Sequence, residues 1–157
     1  MVHPVSAICQ PWVLFCDGSA SPNPGRMGIG AVLIEPDGTR HTLSQAMPER
    51  GCNNEAELLA LMAALRELKV RGAGTLLAYS DNSILIEQLG SSHAKPVARL
   101  ASLFDEARAL LSSFDHASLK WIPRHRNNEA DALARAALGL SPKVLAKALK
   151  KNRKNPR

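Results

Sequence analysis

The sequence of 157 residues lacks features that mark several special classes of protein. No apolar run approaches the roughly 20 residues needed to cross a bilayer. The first eleven residues have neither the basic start nor the long apolar stretch of a secretion signal. The three cysteines, Cys9, Cys16 and Cys52, have no metal-ligand spacing, and the five histidines form no ligand-spaced pair. These absences argue against a membrane span and a structural zinc site. They predict free thiols and a cytoplasmic location.

Acidic residues are missing from the C-terminal part of the chain. Residues 132–157 carry eight Lys or Arg and no Asp or Glu, whereas residues 1–131 carry 12 basic and 14 acidic residues. The net charge of +6 therefore combines a mildly acidic body with a strongly basic tail. A basic tail suggests a polyanionic partner, and an acidic body could hold a cluster of carboxylates.

Hydrophobic spacing predicts five strands and four helices. The predicted strands cover residues 12–16, 29–34, 39–46, 75–79 and 117–122. The predicted helices cover residues 54–70, 82–89, 96–111 and 128–138. Glycines and prolines predict a turn-rich loop over residues 17–28. The order β-β-β-α-β-α-α-β-α predicts an α/β domain, in which three antiparallel strands and two further strands form a mixed sheet flanked by helices.

Four acidic residues stand at similar places on the predicted elements. Asp17 ends the first strand and Asp81 follows the fourth, while Glu57 and Asp131 lie in the first turns of two helices. Carboxylates at strand ends of an α/β sheet open into the crevice where such folds place their sites. An acid in a first helical turn can also be a simple partner of the helix dipole, so no single one of the four is informative.

Four short motifs surround these acids. They are Cys16-Asp17-Gly18-Ser19 followed by Asn23-Pro24-Gly25, Asn53-Asn54-Glu55-Ala56-Glu57-Leu58, Ser80-Asp81, and Trp121-Ile122-Pro123-Arg124-His125 followed by Asn127-Asn128-Glu129-Ala130-Asp131. Any one of them could arise by chance. In this order and at these intervals they resemble the type 1 ribonuclease H family, and the resemblance covers residues 12–138.

The resemblance implies that Asp17, Glu57, Asp81 and Asp131 form one acidic cluster that holds two Mg²⁺ ions, for which Mn²⁺ could substitute. Four crowded carboxylates would repel one another unless cations intervened, and Mg²⁺ prefers oxygen ligands. Two such ions can clamp a phosphodiester, activating water and stabilising the leaving oxygen. The implied activity is endonucleolytic hydrolysis of the RNA strand of RNA–DNA hybrids, with 5′-phosphate and 3′-hydroxyl products.

Glu55 is a rival of Glu57 for the helical position in this cluster. Helical spacing places Glu57 with Leu61 and Leu65 on the more apolar face, where a lone carboxylate is costly without a partner. This spacing favours Glu57 without settling the choice. The family motif selects Glu57.

The resemblance also implies roles for the loop after the last strand. His125 can exchange a proton near neutral pH, and it would help position or protonate during turnover or product release. Arg124 would contact phosphate. A solvated loop histidine is the alternative interpretation, and the stretch from His125 to Asp131 is shorter than in the best-known bacterial members.

Three asparagines, Asn23, Asn53 and Asn54, are implied to line the groove that receives the hybrid. Short amides can bond base edges and 2′-hydroxyls, which distinguish RNA from DNA. Ordinary turn and helix-cap chemistry is the alternative. Two positions depart from the family: Cys52 stands where the family often has a hydroxyl residue that helps bind the DNA phosphate, and Ser83 stands where a longer amide often reaches the groove.

The resemblance divides the chain into an N-terminal extension (1–11), a ribonuclease H domain (12–139) and a basic C-terminal tail (140–157). The sequence leaves no room for the basic helical protrusion of some family members. Lysine spacing in the tail predicts an amphipathic helix, and Lys143 and Lys147 could present its charge to substrate phosphates. A solvated, frayed tail is the alternative.

Two competing functions remain open at this point. One is a non-catalytic module that binds hybrids or double-stranded RNA on the same fold, and the other is a two-metal nuclease acting on another nucleic acid. The presence of all four acids favours catalysis, and the Asn53–Asn54 pair favours hybrids. We therefore expect the partner to be an RNA–DNA hybrid and not a membrane. We also expect the protein to be a monomer.

Overall fold

The computed structural model describes residues 10–90 and 98–142. Five strands are present in this part of the chain: β1 (Trp12–Ser21), β2 (Gly25–Ile34), β3 (Arg40–Gly51), β4 (Thr75–Ser80) and β5 (His116–Trp121). Four α-helices accompany them: α1 (Asn53–Val70), α2 (Ser83–Gly90), α3 (Ala101–Ser112) and α4 (Asn128–Ala137). The predicted order of elements is confirmed. The predicted start of α3 at Pro96 lies outside the described residues.

The strands form one mixed sheet in the order β3-β2-β1-β4-β5. β1, β2 and β3 are antiparallel neighbours, while β4 is parallel to β1 and β5 is parallel to β4. The predicted fold class is therefore confirmed. Phe15 of β1 pairs with Tyr79 of β4, so Asp17 and Asp81, each two residues further on, lie at the same level of adjacent strands.

Helices cover both faces of the sheet. Helix α1 packs on β1 and β2 and against α3, and α4 packs on β1, β2 and β3. Gly18 of β1 lies against α1, whereas Gly28 and Gly30 of β2 lie against α4. Because Gly18 pairs with Ile29, whose neighbours Gly28 and Gly30 point the other way, the two helices lie on opposite faces. The main core is formed by fully buried leucines of the sheet and α1, including Leu14, Leu33, Leu61, Leu65 and Leu68.

The prediction of a turn-rich loop over residues 17–28 is wrong. β1 continues to Ser21 and β2 already begins at Gly25, so Asp17 lies within a strand and pairs with Gly30. The glycines in this stretch serve helix packing. A Cβ on Gly18 would lie 2.2 Å from the Ala56 carbonyl carbon, and one on Gly30 would lie 2.4 Å from the Ala130 oxygen. Glycine in these strands marks the close approach of another backbone.

The remaining outcomes concern segment ends and cysteines. β3 extends to Gly51, five residues beyond its predicted end at Ala46. Cys16 and Cys52 are free thiols, as predicted, while Cys9 lies outside the described residues. No helix within the described ranges is long and apolar enough to cross a membrane.

Candidate active site

A crevice of about 510 Å³ opens beside the ends of β1 and β4 and the start of α1. Most of its lining is polar. Seven of the residues predicted to act in catalysis or binding contribute to it: Asp17, Asn23, Asn53, Asn54, Glu57, Asp81 and Arg124.

Three carboxylates meet in this crevice. Asp17, Glu57 and Asp81 each offer an oxygen, and these oxygens all lie within 4.8 Å of one another. The β1–β4 register brings Asp17 and Asp81 level. Glu57 joins them because Gly18 has no side chain: a Cβ there would lie 2.4 Å from the Glu57 backbone nitrogen. The fold therefore unites acids that are 40 and 24 positions apart in the chain.

Asp131 lies beside this group of three. It is buried in the first turn of α4, and that turn lies against Gly30, the strand partner of Asp17. Its charge contributes to the raised pKa of Asp17. Its carboxylate does not belong to the group within 4.8 Å. The structure thus brings three predicted ligands together and places the fourth nearby.

Burial and crowding raise the pKa of Asp17 to about 10. Desolvation is the largest cause, followed by a hydrogen bond with Glu57 and by the charges of Asp81, Glu57 and Asp131. Burial likewise raises the pKa of the adjacent Cys16 thiol. A cation bound among these carboxylates would offset their mutual repulsion and favour the ionised form of Asp17. The oxygen donor set therefore fits a divalent metal ion.

The geometry also separates Glu57 from Glu55. The Glu55 carboxylate lies over Gly51, where an added Cβ would be only 1.6 Å from its Oε2. The Glu55 backbone N–H donates to the Cys52 Sγ at 3.5 Å and so helps to cap α1. Glu57, and not Glu55, is the helical acid in the crevice.

The three asparagines take part in local structure as well as lining the crevice. Asn53 Oδ1 accepts from the Ala20 N–H at 2.8 Å, and Asn23 Oδ1 accepts from the Asn53 N–H at 3.1 Å. These bonds tie the β1–β2 hairpin to the start of α1. Within the described residues, the side-chain nitrogens of Asn23 and Asn53 donate no hydrogen bond, so both remain available to a ligand.

Asn82 is a crevice residue that sequence reasoning missed. Its Nδ2 donates to Asn54 Oδ1 at 2.9 Å and to Glu57 Oε2. Its Oδ1 accepts from the N–H groups of Ile84 and Leu85 and so caps α2. The available signal was an asparagine at the predicted start of a helix, a position where Asn is favoured as a cap.

Two residues near Asp131 were also missed. Asn127 is buried and its Nδ2 lies 3.5 Å from Asp81 Oδ2. Arg135 lines the crevice, and its Nε donates to the Ser141 carbonyl. They stand four positions before and four after Asp131, the spacing that places side chains on one helix face. That spacing was the signal that could have found them.

His125 and Arg124 occupy different places. Both belong to a 3₁₀ turn, Arg124–Arg126, but Arg124 lines the crevice and the exposed His125 does not.

The two positions that depart from the family, Cys52 and Ser83, also line the crevice. Arg99 Nη2 lies 2.9 Å from Cys52 Sγ and adds a positive charge there. Lys143 and Lys147 lie outside the described residues.

The sheet order and the acidic crevice define an α/β protein with a ribonuclease H-like fold and a candidate metal centre. Residues 15–137 match the family model described as "Reverse transcriptase-like". The structure of ribonuclease H1 from Halobacterium salinarum has a TM-score of 0.77 and 32% identity, covering 83% of this chain and 98% of that one. The chain belongs to the type 1 ribonuclease H family.

Two further relatives extend this comparison. "Bifunctional protein Rv2228c" of Mycobacterium tuberculosis is 34% identical over 127 residues, which cover 80% of this chain and 35% of the relative. The chain therefore spans about a third of that relative's length. LC11-RNase H1, solved in complex with an RNA/DNA hybrid, has a TM-score of 0.71 and 25% identity, covering 85% of this chain and 99% of that one.

Proposed function

We propose that this protein is a metal-dependent endoribonuclease that hydrolyses the RNA strand of RNA–DNA hybrids and leaves 5′-phosphate and 3′-hydroxyl ends. The observation that carries this proposal is the group of three carboxylates within 4.8 Å in a crevice lined by amides and arginine. Membership of the family supports it, as does a relative whose structure contains an RNA/DNA hybrid. A module that only binds nucleic acid would not need carboxylates so crowded that they raise the pKa of Asp17.

We infer that the cofactor is Mg²⁺, bound as two ions, with Mn²⁺ as a substitute. Asp17, Glu57 and Asp81 would hold the ions, and the neighbouring Asp131 would complete the set. When bound, such ions activate a water molecule and stabilise the charge on the leaving oxygen. The chain contributes the fixed placement of its carboxylates, because β1, β4, α1 and α4 are locked together by the sheet register and the glycine contacts.

The amides and Arg124 would bind the hybrid. The free Nδ2 groups of Asn23 and Asn53 can donate to base edges or 2′-hydroxyls, and Asn54 lies beside them in the lining. Arg124, which lines the same crevice, can pair with a phosphate. His125 stays a candidate for turnover, since it is exposed to solvent on the same turn as Arg124.

The domain boundaries proposed from the sequence are retained: extension 1–11, domain 12–139 and tail 140–157. The bond from Arg135 to the Ser141 carbonyl starts the tail next to a crevice-lining residue. From that point, Lys143 and Lys147 would bind phosphates beyond the crevice. The monomeric state and the cytoplasmic location stay predictions from the sequence.

A cleavage assay tests the proposal. Labelled hybrid, duplex DNA and duplex RNA are each incubated with the protein in Mg²⁺, Mn²⁺ or chelator. We expect cleavage of the hybrid's RNA strand only, abolished by chelator and by Asp17→Asn or Asp81→Asn. Asp105→Asn, an exposed acid on α3, serves as the matched control and should cleave normally. Equal cleavage of duplex DNA would favour the broader nuclease, and binding without cleavage would favour the non-catalytic module.

A further inference from the structure

Asn127 is a buried amide that connects the elements carrying the acids. Only 1% of the residue is exposed. Its Nδ2 donates to the carbonyl of Cys16, the residue before Asp17, at 2.9 Å and to Asp81 Oδ2 at 3.5 Å. Its own backbone carbonyl accepts from the Asp131 N–H at 3.1 Å. One side chain and its backbone therefore touch β1, the end of β4 and the first turn of α4.

The oxygen of the same amide differs from its nitrogen in its hydrogen bonding. Asn127 Oδ1 is buried and receives no hydrogen bond from the described residues. A buried acceptor left in this state destabilises the folded protein, because its hydrogen bond to water is lost and not replaced. Turning the amide around would point its oxygen at two other acceptors, Cys16 O and Asp81 Oδ2, so the donor contacts fix its orientation. An apolar residue of similar size would avoid the cost, which indicates that the donor group is what the position requires.

Other contacts near Asp81 act on its backbone. Trp121 Nε1 donates to the Asp81 carbonyl at 3.2 Å, and the neighbouring Asn82 N–H donates to Ser80 Oγ at 3.1 Å. These bonds hold the chain but leave the carboxylate free to rotate about its side-chain bonds. Asn127 contacts the carboxylate itself, and through Cys16 it ties that carboxylate to β1.

We propose that Asn127 is a positioning residue that fixes the Asp81 carboxylate against β1, so that Asp81, Asp17 and Glu57 meet in a geometry that binds a divalent ion. This inference rests on the proposed function. It assigns to Asn127 no contact with the substrate. Partners that orient metal ligands from behind typically change metal affinity or activity about 10–100-fold when removed.

Two variants test the donor group. Asn127→Leu keeps the branched shape of the side chain and removes both the donor and the unsatisfied acceptor, and Asn127→Ala removes the side chain beyond Cβ. Gln88→Leu, a buried amide of α2 outside the crevice, is the matched control. The measurements are the dissociation constant of Mg²⁺ or Mn²⁺ by calorimetry without nucleic acid, the unfolding midpoint in chelator, and kcat and KM for hybrid at saturating metal.

We expect both Asn127 variants to bind the ion about 10–100-fold more weakly. KM for the hybrid at saturating metal should stay close to the wild-type value, because Asn127 does not line the crevice. Gln88→Leu should keep the wild-type ion affinity whatever its midpoint.

The outcomes separate this inference from the proposed function. If the wild type binds ions and cleaves hybrid while both Asn127 variants bind ions equally well, Asn127 is only a core residue and the inference is overturned. If the variants lose stability alone, in the manner of Gln88→Leu, the same conclusion holds. A wild-type protein that binds neither ion would overturn the inference together with the proposed function.

Discussion

Asp17 is the side chain at which folding and metal binding oppose each other most directly. It is buried among three other acids, and its pKa is raised to about 10. Asp17→Asn removes one ionisable group from this site while keeping the shape of the side chain. In chelator we expect the variant to be more stable than the wild type by about 1 kcal/mol, the usual scale when a strained functional site is relieved. Urea unfolding in chelator measures this difference.

The same substitution should abolish hybrid cleavage, because a neutral amide cannot supply the negative charge with which Asp17 would hold a metal ion. Asp105→Asn is the control and should change neither property, since Asp105 is exposed on α3 and its ion pair with Arg108 lies at the surface. If Asp17→Asn is less stable than the wild type in chelator, the burial of Asp17 among other acids does not destabilise the fold, and the prediction is wrong.

The raised pKa of Asp17 also sets a pH dependence. The unfolded chain releases this proton near its ordinary value of 3.8, whereas the folded protein retains it to about pH 10. In this window the native state binds more protons, so the free energy of unfolding in chelator falls as the pH rises. The contribution of protonated Asp17 to the free energy of unfolding is fully present below about pH 4 and is lost progressively towards pH 10.

Urea unfolding of the wild type and Asp17→Asn at several pH values measures this effect. Other groups titrate in both proteins, so the difference between them isolates Asp17. The stability advantage of Asp17→Asn should grow with pH in chelator and shrink when Mg²⁺ is added. Parallel curves for the two proteins would show that the carboxyl titrates normally.

At the scale of elements, the contact between β1 and α1 controls the position of Glu57. A Cβ on Gly18 would lie 2.2–2.4 Å from backbone atoms of Ala56 and Glu57, so Gly18→Ala must push the helix and strand apart. We expect a loss of about 1–3 kcal/mol, the usual cost of overpacking. Cleavage should fall further than the loss of folded protein explains, because Glu57 moves away from Asp17 and Asp81.

Chemical denaturation and kcat under conditions where both proteins are folded test this prediction. Gly90→Ala is the matched control, since a Cβ there meets no atom of the described residues within 4 Å and α2 gains a better helix former. It should be neutral or slightly stabilising. Normal stability and cleavage in Gly18→Ala would show that α1 has room to adjust.

The element order and sheet class followed from the sequence because the periodicity of apolar residues is a local property. The stretch from Asp17 to Gly28 was mispredicted because a glycine that admits a helix backbone and a glycine that makes a turn look the same in one sequence. The β1–β4 register, which brings Asp17 and Asp81 level, depends on pairing between distant segments. Local spacing does not contain that information.

The site was predictable where a motif fixed the residue and unpredictable where a hydrogen bond did. Asp17, Glu57 and Asp81 were found through motifs, and their convergence followed from the fold. Asn82 and Asn127 were missed because an asparagine before a helix reads as an ordinary cap, and only the folded structure shows which acid its other atoms contact. His125 was expected at the site, but the conformation of its turn leaves it outside the crevice lining.

At the scale of the whole molecule, charge is divided between an acidic crevice and a basic tail. Residues 143–157 contain seven Lys or Arg and no acid. Ser141, two residues before this segment, accepts a hydrogen bond from the crevice-lining Arg135. We expect the charges of this segment to attract a polyanion bound at the acids. Neutralised phosphates release counterions, so each contact contributes roughly one unit to the salt slope of affinity.

A chain ending at Pro142 removes these charges and keeps the contact between Arg135 and Ser141. We expect weaker hybrid binding and a shallower dependence of affinity on salt, measured by titration at several salt concentrations. Mg²⁺ affinity should be unchanged, because the acids and Asn127 all lie before the truncation. Replacing only Lys143 and Lys147 by Gln should lower the slope by about two units if both contact phosphate. An unchanged slope in the truncated chain would assign all hybrid binding to the crevice, since a segment that binds phosphates cannot be removed without changing counterion release.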